Sequence, residues 1–444
     1  MNKIIFFLIS IIAAVAFVSE ASALPVFARQ TGMECAACHF QHFPLLSAFG
    51  RSFKASGFTM MGAQGKVEGE NLAIPNTLNM AVLTTAGYEK TNQAVGTTPA
   101  KTTGDGAFYV PGTGGEMALF FGGRVSGSTG FLAEIGRGGV VVGTAVTAHS
   151  SAKLPILFDL QFKVAEGTRA GVIPFSTDDR GASYGFEVLN TGANVAHQMG
   201  DARGLNSAHS AALSAQQYIG TDGSATGLAF VADNPMGFIN LTKYDQTGMA
   251  DGTLASLGST YVRVAGMFDW AGWDVGAGIQ VWNGNSAVAG ALTYADTKAS
   301  AIDGQMQGKL GIMPVGFYAS YARAPASSAN TYNMDPAVAV AGNTVATGPN
   351  GTATKSAFNI SAEVGVIPEK VTLGAAIRFG KSGVEVGAAS NASDNAITLI
   401  ATYKLAQNMM ASFSLTSASG GYWDAAHQHA LGSRTATINL STLF

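Results

Sequence analysis

Five consecutive residues, Cys35-Ala36-Ala37-Cys38-His39, carry the clearest chemistry in the chain. They form the C-x-x-C-H pattern by which a c-type haem is attached. Each thiol can add across one vinyl group of the same haem, and His39 then meets one face of the iron. Cys35 and Cys38 are the only cysteines, so the chain has capacity for one covalent haem c. Two plainer readings compete: a disulfide across the pair, or half of a zinc site. The zinc site would need further ligands, and there is no second cysteine pair. A thioredoxin-like motif would need a strand before it and a long helix after it. The pattern favours haem, with His39 as axial ligand.

The second axial ligand must approach from the opposite face. His42 lies three residues after His39, on the same side if the turn is helical, so it reads better as a supporting group. Met60 is the expected ligand, ahead of Met61, because residues beyond the next helix can fold back over the other face. A Met/His pair raises the reduction potential. Arg29, Arg51 and Lys54 are candidate partners for the haem propionates; the alternative is a solvated basic face.

Three stretches must position these groups. Residues 1–23 read as a secretory signal peptide, with Lys3, an apolar run from Ile4 to Val18, and Ala21-Ser22-Ala23 as the cleavage site. Export agrees with haem attachment outside the cytoplasm. Residues 24–71 form the haem segment. Pro44 suits a helix start. Leu46, Phe49 and Phe53 then mark one apolar helical face, and Gly57 suits the stop. That stripe is expected to cover the haem. So small a segment needs walls from elsewhere.

Residues 72–444 supply them. Only 12% of the chain is charged, 56 residues are glycine, and no apolar run after the signal is long enough for a transmembrane helix. Instead, segments of about ten residues alternate strictly, as membrane β-barrels do. Ile302 to Ile312 puts Asp303, Gln305, Gln307 and Lys309 on one face; Val371 to Phe379 and Ile156 to Val164 alternate likewise. The last stretch, Thr435 to Phe444, alternates and ends on an aromatic. It resembles the terminal signature that the barrel insertion machinery reads. The pattern predicts an all-β barrel of about sixteen antiparallel strands. Short turns are expected at Val125–Ser128, Asn234–Pro235, Trp270–Gly272, Met313-Pro314, Pro368–Glu369 and Ala406–Gln407. Long loops lie between, and Phe268, Trp270 and Trp273 mark an interfacial girdle. The loop 177–222 is the longest and stands where general porins place an inward-folding loop. Its Asp178, Asp179, His197, Asp201 and His209 could bind a divalent metal, but a solvated loop is the favoured reading.

The stretch Pro25 to Gly32, the haem motif, Phe43-Pro-Leu-Leu46 and Phe49-Gly-Arg-Ser-Phe-Lys54 together resemble the fused cytochrome-porins of the outer membrane, whose best-known members are bacterial iron oxidases. The likeness is specific over residues 24–60 and architectural beyond. It implies haem on Cys35 and Cys38, iron ligation by His39, and transfer of an electron from extracellular Fe(II) to a soluble periplasmic cytochrome. In that picture the chain is integral to the outer membrane, in contact with its lipid. The haem segment plugs the lumen or its periplasmic side, and the chain acts as an Fe(II):cytochrome c oxidoreductase by outer-sphere transfer. The alternatives are a conduit for another donor or acceptor, and a diffusion porin with a haem-bearing plug. A net charge of −3 identifies no partner and gives no reason to expect nucleic acid.

Overall fold

The computed structural model describes residues 25–62, 64–70, 72–92, 106–139, 148–160, 166–193, 214–249, 256–287, 294–327, 329–333, 351–384, 391–423 and 433–444. The expected signal peptide, and His197, Asp201 and His209, lie outside them.

The alternating segments pair into one closed barrel. It runs from β3 (Met80–Thr91) to β21 (Arg434–Leu443), which pair antiparallel and close the ring, Thr435 opposite Thr91 and Leu443 opposite Leu83. Several segments share a row. β7 (Ala148–Lys153) and β8 (Ile156–Asp159) both pair β9 (Arg169–Thr177), interrupted at Pro155, which lacks an N–H for the ladder. β14 (Tyr294–Asp296) and β15 (Ala299–Leu310) both pair β13 (Trp273–Ala287). With these joined, the described residues hold seventeen barrel strands. One of them, β4 (Ala107–Pro111), prolongs the row of β5 (Gly114–Arg124) along β3, leaving sixteen rows. An even number is required when every row runs antiparallel to its neighbours around a closed ring.

Alternation decides which face is which. On β15, Asp303, Gln305 and Gln307 are buried toward the lumen, while Ile302 is exposed on the outside. β18 (Val371–Lys381) repeats this, with Thr372 and Arg378 inside and Leu373, Ile377 and Phe379 outside. An apolar exterior with every ladder hydrogen bond made internally is what a hydrocarbon surround demands. Among the described residues no helix is long and apolar enough to cross a membrane.

One end of the barrel is closed by tight turns. Between β12 (Ser259–Trp270) and β13, Ala271 and Gly272 both take positive φ, the primed turn that suits right-handed strand twist. The turn expected at Met313-Pro314 falls instead at Gly311-Ile312. Gly311 takes the left-handed corner at φ +64°, and Pro314 sits inside β16 (Met313–Ala324). Phe268 and Trp270 stand exposed at this end, where a girdle would lie. At the other end β3 reaches Thr91, β13 reaches Ala287, and β4 lies between β3 and β5 in the chain.

The core lies inside the barrel. From the inward-folded stretch 178–193, Tyr184, Phe186 and Leu189 are buried with wall residues Phe238, Tyr261 and Trp282. Asn240 Nδ2 donates to the Phe186 carbonyl at 2.8 Å and Thr191 Oγ1 to Asp303 Oδ2 at 2.7 Å, which fixes the stretch to the inner face. A small hairpin, β1 (Lys66–Gly69) and β2 (Leu72–Pro75), spans the expected boundary at residue 71 and precedes the barrel.

Candidate functional site

The site is built from the N-terminal segment. Helix α1 (Pro25–Thr31) is held by Val26, wholly buried among Ala81, Leu83, Ala118 and Phe120. Helix α2 is the single turn Cys35–Cys38. Helix α3 (Ala48–Ala55) starts at Ser47, whose hydroxyl accepts from the Gly50 N–H at 3.2 Å. Pro44 lies in the turn before it. Gly57 ends the helix at φ +68°, as its position suggested.

Helices α2 and α3 are locked together. The Ser47 hydroxyl donates to the Ala37 carbonyl and the Ser47 N–H to the Cys38 carbonyl, both at 2.9 Å. Gly50 is needed for this approach, since a Cβ there would fall 1.9 Å from the Cys38 carbonyl oxygen.

His39 follows directly. It is buried, and its Nδ1 donates to the Leu45 carbonyl at 3.0 Å. That bond puts the proton on Nδ1 and the lone pair on Nε2, the arrangement a metal-binding imidazole needs. Burial pulls its pKa down to about 4, against the Leu45 carbonyl, so the ring is neutral across physiological pH. Burial also pushes the Cys35 thiol up to about 12 and raises that of Cys38. Both are unbridged, so near neutral pH they are protonated thiols.

Cys35, Ala36, His39 and Phe43 form one side of a cleft open to solvent. The other side is barrel wall at the tight-turn end. It includes Lys370, Lys404, Met409 and Met410.

Several candidates lie elsewhere. Met60 and Met61 do not reach this cleft. Gln30, fully buried, donates to the carbonyls of Phe58 and Met60, each at 2.7 Å, and so pins that stretch. Met61 borders a different cleft with Lys66, Ile74 and Arg124. His42 borders the cleft but is held to the wall: Nε2 lies 2.9 Å from Glu363 Oε2 and Nδ1 2.8 Å from the Phe43 carbonyl. Arg51 bonds Asp274, Gln307 Oε1 at 2.9 Å and the Leu46 carbonyl at 3.2 Å. Its guanidinium is thus engaged with the barrel, away from the cleft. Arg29 is exposed and bonds the Met80 carbonyl. Lys54 is buried; burial, opposed by Glu187 and reinforced by Arg180, lowers its pKa to about 7.

The apolar stripe is also divided. Phe53 packs on Phe27 and Phe58, with ring centroids 5.0 and 5.9 Å away, whereas Phe49 is exposed and Leu46 meets Asn190 through its backbone. None of the three borders the cleft. Among the described residues, no group of three or more His, Cys, Asp or Glu could hold a metal ion. Asp178 instead accepts from the Ser150 N–H.

Lys404 and Met410 are the residues that reasoning from sequence passed over. A signal was present. Strict alternation places Lys404 in step with Thr398 and Thr402, and Met410 in step with Thr416 and Ala418. All of these other positions are buried on the inner face, and Lys404 and Met410 lie beside the turn at 407–408.

No family model matches the chain, and no curated protein matches it. Solved structures of similar shape include OmpT, an outer-membrane protein of Vibrio cholerae, at 9% identity over 85% of this chain and 99% of that one, TM-score 0.42. OccAB4 of Acinetobacter baumannii aligns at 8% identity over 82% and 97%, TM-score 0.43. The anion-selective porin from Comamonas acidovorans aligns at 11% over 83% and 99%, TM-score 0.42. At this level the likeness is one of general barrel form.

Proposed function

We propose that the chain is an outer-membrane barrel carrying one covalent haem c in the cleft beside His39, and that it conducts electrons across that membrane. The observation that carries this is the pairing of the C-x-x-C-H motif with a cleft walled by the barrel, His39 being oriented by the Leu45 carbonyl. The residues fit the group: two unbridged thiols one helical turn apart, an adjacent imidazole with Nε2 as its basic nitrogen, and walls of apolar side chains with Lys370, Lys404 and Glu369. Bound there, a haem would supply reversible one-electron chemistry.

The protein's own residues do the rest. Cys35 and Cys38 would hold the haem through thioether bonds, and His39 would ligate its iron. His42–Glu363 and Arg51–Asp274 tie the segment to opposite parts of the wall, so that the attached group cannot swing. Short turns in bacterial barrels face the periplasm. A haem at that end suits exchange with a soluble periplasmic cytochrome, and an external donor would have to enter the lumen from the long-loop side. Extracellular Fe(II) is the donor that the family resemblance implies. No general base or nucleophile is needed for outer-sphere transfer.

The second reading is a diffusion porin in which the same segment is a plug. It is favoured by the plain porin-like form of the barrel and by a second cleft beside Arg51, Asp233, Asp269 and Asp274.

The test is anaerobic mixing of the oxidised, purified protein with Fe(II), following haem absorbance. Rapid reduction supports the iron conduit. A haem reduced by dithionite but not by Fe(II) overturns the iron donor. Steady passage of small solutes through the haem-loaded protein in liposomes supports the porin reading.

A further inference from the structure

We propose that the barrel wall completes the haem site, with Met410 as the sixth ligand to the iron; this rests on the haem reading above. A c-type haem fixed by Cys35, Cys38 and His39 needs its remaining ligand from whatever faces His39 across the cleft. Besides His39, the N-terminal segment brings one histidine to the cleft, His42. His42 has both ring nitrogens engaged, one on Glu363 and one on the Phe43 carbonyl. Met60 and Met61 are held outside the cleft.

The wall offers four candidates, Lys370, Lys404, Met409 and Met410. The lysines must each lose a proton to ligate, whereas a thioether is neutral at every pH. Between the methionines, alternation decides. Met410 shares the inner face of β20 (Met409–Ser419) with the buried Thr416 and Ala418, while Met409 falls on the outer face and is 36% exposed. Met410 stands directly opposite Lys404 on one neighbouring strand and Ser441 on the other, and both line the same cleft. The thioether therefore sits between a cation, suited to a propionate, and a hydroxyl. A ligand carried on the barrel wall makes the iron's coordination depend on docking of the N-terminal segment, which a ligand from the segment itself would not.

The test compares haem-loaded wild type with Met410→Leu, Met409→Leu, Met60→Leu and Met61→Leu by ferric absorption spectrum and redox titration. Met410→Leu alone is expected to lose the weak long-wavelength sulfur-to-iron band and to shift to lower potential. Met410→His is expected to restore a six-coordinate low-spin spectrum without that band. Met410→Leu with band and potential unchanged, or loss of the band in Met60→Leu or Met61→Leu, overturns the proposal. Haem is quantified in every preparation. Wild type without covalent haem overturns the haem reading and this inference with it; haem present with Met410→Leu indistinguishable from wild type overturns this inference alone.

Discussion

The middle of the lumen and its tight-turn end are built on opposite principles. In the middle, charges are matched. Arg263, with no exposed surface, meets Asp303 Oδ2 at 2.8 Å and Glu187 Oε2 at 3.0 Å, and Gln280 and Thr191 complete Asp303. Glu187 and Thr191 come from the inward-folded stretch, so this network seals loop to wall. At the tight-turn end the chain leaves a cleft bordered by a buried imidazole, a thiol, two lysines and two methionines. A buried ion network closed on itself fixes conformation. That cleft gathers soft and basic side chains beside Glu369. The contrast is between a stretch that binds loop to wall and one that leaves space between the N-terminal segment and the wall.

That contrast can be broken at either end. The largest effect is expected from Cys35→Ala/Cys38→Ala, which should abolish covalent haem while the barrel still folds, read by haem staining beside heat-modifiable gel mobility. Loss of the folded band would mean that the motif is structural. Next, Arg263→Met should cost about 3–5 kcal/mol by stranding Glu187 and Asp303 in the lumen, measured by urea unfolding in detergent, with haem content unchanged. A smaller loss is expected from Arg51→Met, about 1–3 kcal/mol from its buried hydrogen bonds. It should appear as faster proteolysis of the N-terminal segment. A mutant as resistant as wild type would remove Arg51 as an anchor.

The fourth test is one of pH. Burial alone would lower the His42 pKa, but the hydrogen bond and charge of Glu363, with the Phe43 carbonyl, raise it overall. A raised folded-state pKa adds stability that is full below the ordinary value of about 6.5 and is lost as pH rises through the raised one. The segment should therefore release more readily as pH climbs through that window, and Glu363→Gln should flatten the dependence. A wild-type profile with no slope there would contradict the anchor. The smallest effect is expected from Lys404→Met, a modest fall in haem potential from losing a cation near the propionates, seen by redox titration.

Much of the barrel was legible from sequence because a period of two is a local property. The last strand was expected at 435–444 and lies at Arg434–Leu443. Asp303, Gln305 and Gln307 face inward as read. The motif and the Gly57 stop needed only neighbouring residues. What escaped the sequence depends on docking. Arg51 is drawn to Asp274 and Gln307, and His42 to Glu363, by strands distant in sequence. The apolar stripe Leu46, Phe49, Phe53 was read against a haem, yet Phe53 finds closer partners in Phe27 and Phe58. Met60 and Met61 looked suitable because they follow the helix, but the fully buried Gln30 binds the Met60 backbone first. Met410 was hidden by its distance along the chain, although its inward parity was readable.

The most direct measurement is the intact mass of the purified protein after expression with a c-type maturation system. The account predicts one haem added covalently to each chain, and no free thiol. A chain at its unmodified mass, or lighter by two hydrogens through a Cys35–Cys38 disulfide, would contradict it.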